Sequence, residues 1–172
     1  LGSYTHLNNH PSGIFANELV YGETVTLEYY SPANVQENPT ISISEIAYAY
    51  RAVRSLTEVR AYNDSDPCEV DAVCSEANEW REQQRGVARI SIKSNGTYGW
   101  CSGSMVTNTE ENCLPYFLTA DHCADGASVE DVLSWIFYFN YERAVCNNVG
   151  ESEPNANTIT GATQKARGGW QG

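Results

Sequence analysis

The chain has 172 residues, 41% hydrophobic and 19% charged, with a formal net charge of -12. That composition excludes a disordered tail and fits one globular domain, or one and a half small ones. The charge repels phosphate, which excludes nucleic acid and anionic membrane surfaces as partners.

Eleven tyrosines and four tryptophans against a single methionine favour a β-rich protein, because aromatic side chains suit pleated surfaces. No run approaches the ~20 apolar residues of a membrane span. Six cysteines lie dispersed along the chain without a C-x-x-C, and only three histidines accompany them. That pattern reads as a disulfide framework made in an oxidising, extracytoplasmic compartment rather than as a zinc site. No metal or other cofactor is expected. The chain starts at Leu1 and carries no signal peptide, so the expectation is an internal piece of a longer secreted precursor.

Residues 1–54 read as a first unit. Asn8-Asn9-His10-Pro11-Ser12-Gly13 is a loop by composition, which argues against a helical metal pair from His6 and His10. Val25, Leu27 and Tyr29 alternate with polar neighbours, the period of a half-buried strand. Ile41 and Ile43 repeat the pattern, and its phase slips near Ser44-Glu45 to Ile46, Tyr48 and Tyr50, as a β-bulge would leave it. Residues 55–67 are polar and end at Pro67, the composition of a linker; a processing cut is expected there, with Arg54 and Arg60 as basic candidates.

The second unit opens at Cys68. Residues 78–85 form a charged stretch that predicts a short, solvated helix stopped by Gly86. Strands are predicted at about 87–93, 98–106, 114–120, 133–142 and 158–166 from alternation and turn signals. Asn95-Gly96 joins the first two as a hairpin, and with Thr97 it also spells a glycosylation sequon. Tyr116-Phe117-Leu118 is a short apolar strand that ends at Thr119-Ala120-Asp121-His122-Cys123. Such a strand end fixes an imidazole, the side chain most often used as a general base.

Trp100-Cys101-Ser102-Gly103-Ser104-Met105-Val106 followed by Phe117-Leu118-Thr119-Ala120-Asp121-His122-Cys123 resembles the trypsin-like serine endopeptidases. The later Trp135-Ile136-Phe137-Tyr138-Phe139-Asn140-Tyr141 and the opening Cys68 to Cys74 are most similar to the bacterial lysyl endopeptidases. The resemblance covers roughly residues 66–172. It implies an all-β fold: a partial β-sandwich at the end of a prosegment, then the first antiparallel β-barrel of a trypsin-like double barrel. Residues 1–54 would be the C-terminal part of that prosegment, 55–67 the linker, and 68–172 the N-terminal half of the protease domain. The prosegment would precede the protease domain or pack on it, as in a zymogen.

The resemblance also implies that His122 is the general base, that Cys101 pairs with Cys123, and that Cys74 pairs with Cys146. Cys68 and Cys113 either bond to each other or stay free. The activity implied is a secreted bacterial hydrolase that cuts protein or peptide substrates, with specificity for basic residues suggested by the lysyl endopeptidase likeness alone. Asp121 adjoins His122, but neighbouring side chains diverge, and the orienting aspartate is expected past residue 172. No Gly-Asp-Ser-Gly-Gly occurs, and Ser102 and Ser104 read as structural. The serine is therefore expected elsewhere in the precursor, and the fragment alone is expected to be inactive. Two other readings compete. One is a non-catalytic secreted β-domain for binding or adhesion; the other is a metal site from His122, Asp121 and Asp125, which lacks a second histidine.

Overall fold

From Ala88 to Lys93 apolar and polar residues alternate, and the inward Ala88 and Ile90 are 1% and 0% exposed. This strand is the centre of the computed structural model, which describes residues 5, 10–20, 22–36, 39–48, 68–142, 145–146 and 155–168. Five strands follow one another: β1 (Val87–Ser94), β2 (Thr97–Val106), β3 (Tyr116–Thr119), β4 (Ile136–Glu142) and β5 (Asn155–Thr160). All pair antiparallel, in the order β3-β2-β1-β4-β5. The all-β architecture expected from the sequence is the one observed.

Local chemistry accounts for the bends. Asn95 and Gly96 both take positive φ, 49° and 71°, the pair a two-residue hairpin with the right twist requires. Ser94 then faces Thr97 across the turn. Near the end of β4, Asn140 also takes a positive φ of 52°, and the β4–β5 register shifts between Phe139 and Glu142. That is a bulge, and Asn140 donates from Nδ2 to Asn157 Oδ1 at 2.7 Å beside it.

Two short helices accompany the sheet. A 3-10 turn, Ser75–Trp80, runs into α1 (Arg81–Gln84) where the charged stretch predicts a helix. Arg81 ties this end together, donating to the carbonyls of Ala72 and Val73 at 3.0 and 3.2 Å. A second helix, α2 (Val129–Leu133), occupies residues expected to lead into β4. Ser128 caps it through a reciprocal pair: Asp131 N–H donates to Ser128 Oγ, and Ser128 N–H donates to Asp131 Oδ2.

One face of the sheet carries the core. Ala88, Ile90 and Phe137 pack against Cys123, Val132 and Trp135, with Ile92, Phe117 and Phe139 at the margin. Phe117 meets Phe137 edge to face at 5.1 Å. The opposite face is held by Arg89, whose guanidinium lies 3.7 Å over the Trp100 ring and 4.8 Å from Tyr141. After β5 the chain folds back on α2: Gly161 N–H donates to Trp135 O and Ala162 N–H to Val132 O.

The first part of the chain behaves differently. Packing divides the molecule into two units, residues 1–18 with 62–172, and residues 19–61. The strands expected around Val25 to Tyr29 and Ile41 to Tyr48 are not formed; the described residues there make turns and irregular chain. Val25, Leu27, Ile43 and Tyr48 are all more than half exposed. Alternation marks a face that could be buried, but a two-strand pair without a layer to cover it is marginal in water. Residues 49–67, which include the expected linker, lie outside the described residues.

Candidate active site

His122 stands where β3 stops. Thr119 closes the ladder against Gly103, and its Oγ1 donates to Ser102 O at 2.8 Å, so the strand end is pinned to β2. Asp121–Ala124 then makes one 3-10 turn. In that turn Cys123 points into the core, 2% exposed, and His122 points out. The Cys101–Cys123 disulfide locks the turn onto the middle of β2, and Cys74–Cys146 ties the stretch just before the Ser75–Trp80 turn to the segment after β4. Cys68 and Cys113 are free and exposed.

The imidazole borders an open hollow of about 440 Å³ lined by Trp100, Cys101, Ser102, Ala120, His122 and Cys123. No lining side chain other than His122 can carry charge. Ser102 shares the hollow, yet no hydrogen bond joins it to His122 among the described residues. The sulfurs of Cys101 and Cys123 lie within 4.8 Å of the His122 ring nitrogen, a metal-like cluster by distance. Bonded to each other, they have no thiolate to offer a metal.

The acids beside the histidine are engaged with Arg167. Its Nε donates to Asp121 Oδ1 at 2.7 Å and its Nη2 to Asp121 Oδ2 at 3.4 Å. Nη2 also reaches Asp125 Oδ1 at 3.3 Å, and Nη1 reaches Ala124 O at 3.1 Å. The hydrogen bond from Arg167 holds the Asp121 carboxyl below the usual aspartate range, and the two carboxylates raise the guanidinium in turn. Asp121 is thus committed to an arginine. Sequence reasoning did not single out Arg167, because the pair spans 46 residues and no local pattern signals it.

The far side of the turn is packed by the β1–β2 hairpin. Ser94 Oγ donates to Asp125 O, and the Asn95 amide lies against Gly126, where any β-carbon would stand. The turn therefore has three anchors: a disulfide beneath it, an arginine across it and a hairpin tip beside it.

Comparison with known proteins places these residues. A family model described as lysyl endopeptidase, C-terminal domain, matches residues 62–170. A lysyl endopeptidase from Pseudomonas aeruginosa is 26% identical over 129 residues, covering 71% of this chain and 28% of its own length. The chain spans little more than a quarter of that relative. Since the family match takes in well over half of the residues, and the His122 turn with both disulfides falls inside it, the chain belongs to the lysyl endopeptidase family.

Proposed function

We propose that this chain carries the general-base half of a serine endopeptidase active site, with His122 as the base. The observation that carries the reading is one exposed imidazole on a disulfide-pinned strand end, bordering an open hollow. Its membership in a protease family supports the same reading.

In that chemistry His122 takes the proton of an attacking serine hydroxyl and returns it to the departing amine. Both transfers need a ring that reaches solvent and substrate but does not wander, and the turn provides both. In this reading residues 68–172 contribute the wall of the cleft that carries the base. Residues 1–54 are read as the end of a prosegment and 55–67 as the segment where it is cut. Two disulfides suit an extracytoplasmic enzyme. No described helix is long and apolar enough to cross a membrane. Cleavage after basic residues is proposed from the name of the relative.

The test is His122→Ala in the full-length precursor, assayed on lysyl, arginyl and neutral peptide amides. Loss of about 10⁴-fold or more in kcat is expected, as for removal of a triad member. Retention of activity within tenfold of the parent overturns the proposal.

A further inference from the structure

Arg167 lies on the chain returning from β5, and among the described residues its polar contacts all go to the turn that bears His122 and to Asp125 just after it. It holds Asp121 on one side of the histidine and Asp125 and the Ala124 carbonyl on the other. A two-pronged guanidinium–carboxylate contact fixes orientation as well as distance, which a point charge does not. The turn has little else to hold it on this side, since it is a single 3-10 turn without a side-chain cap.

Resting on the function proposed above, we propose that Arg167 is a positioning residue for His122. It clasps the turn from both flanks and couples the segment after β5 to the base. The charge arrangement belongs to the same device. Asp121, Asp125 and Arg167 are the charged groups paired around the turn; Lys165 stands two residues before Arg167 on the same segment, and the hollow brings no charged side chain besides His122. Removing the arginine leaves two carboxylates that favour the protonated imidazole. Removing Asp121 leaves a less balanced guanidinium that disfavours it. The two changes push the acid limb of a rate profile in opposite directions.

The experiment uses the full-length protein with Arg167→Gln, Arg167→Lys, Asp121→Asn and the Asp121→Asn/Arg167→Gln pair. Arg167→Gln should lower kcat by about tenfold to a hundredfold, the scale of a small misplacement, with KM within twofold. Arg167→Lys should recover part of the loss, and the double variant should fall no further than the worse single. The acid limb of kcat/KM should move to higher pH in Arg167→Gln and to lower pH in Asp121→Asn. Hydrogen exchange at the Cys123 and Asp125 amides, which bond within the turn to Ala120 O and His122 O, should quicken in Arg167→Gln. Unchanged kcat in Arg167→Gln, or acid limbs that move the same way, overturns the role of Arg167 and leaves His122 as base untouched. If His122→Ala stays active, the base assignment falls; unaltered amide exchange in Arg167→Gln then still refutes the clasp by itself.

Discussion

Gly103 lies so close beneath Phe117 that a β-carbon on it would stand 2.5 Å from the ring's Cε1 and nearer still to the Leu118 carbonyl oxygen. The contact crosses from β2 to β3, the strand that ends at His122. Phe117 needs that space because its ring fills the gap between Phe137 and Phe139, at 5.1 and 6.1 Å.

A methyl group at this position has nowhere to go. Gly103→Ala should destabilise the sheet by about 3 kcal/mol, the upper part of the overpacking range, because one offending atom is backbone and cannot rotate away. Thermal unfolding measures this directly. A midpoint within a degree or two of the parent means the strands part more easily than the packing implies.

The Cys101–Cys123 bridge closes a 22-residue separation that contains all of β3. Replacing both cysteines by alanine should cost about 3 kcal/mol in the chain-entropy account. Denaturant titration reports it, with the m-value rising as the unfolded chain loses its crosslink. A loss below about 1 kcal/mol would show that the reduced, unfolded chain is already constrained over this stretch.

Acid should weaken this unit through two aspartates. Asp131 is held below the usual aspartate range first by the Ser128 backbone N–H, then by the Ser128 hydroxyl and Lys93, 3.3 Å away. Asp121 is held down by Arg167. In both cases the unfolded chain binds its proton at higher pH than the folded one. The stability they contribute is therefore complete above about pH 4 and is lost as pH falls through their lower folded values. Asp131→Asn should flatten that decline, and Ser128→Ala should cost about 1 kcal/mol at neutral pH through the lost cap. Urea midpoints between pH 2.5 and 7 test both; an equally steep acid decline in Asp131→Asn counts against the assignment.

Much of this arrangement was legible in the residues. Asn95-Gly96 announced its hairpin because few other pairs accept two positive φ angles, and Ala88 to Lys93 announced β1 because alternation has one simple meaning when a core is near. β1, β2 and β3 lie close to their expected spans, β4 starts at Ile136 rather than near 133, and β5 runs Asn155–Thr160 rather than 158–166, sharing only residues 158–160 with the expectation. Helix α2 went unread: five residues are too few for a 3.6 period to show. Its signature was the capping pair itself, Ser128 with an acid three residues on. The alternation at Val25 and Ile41 misled for the converse reason. It describes a side chain's readiness to be buried and says nothing of what would bury it. Arg167 was out of reach because its partners are distant in sequence, and a lone arginine in a polar stretch looks like any solvated cation.

The Asn95 amide pressed against Gly126 matters for how the protein is made. A eukaryotic secretion host recognises Asn95-Gly96-Thr97 and would attach an oligosaccharide to that amide nitrogen. Asn95 is itself exposed, but its amide nitrogen faces Gly126, so a carbohydrate carried on it would crowd that loop like a wedge. Material from a bacterial host avoids that wedge, and Asn95→Asp keeps the turn's preference for positive φ while denying the glycosyltransferase its acceptor.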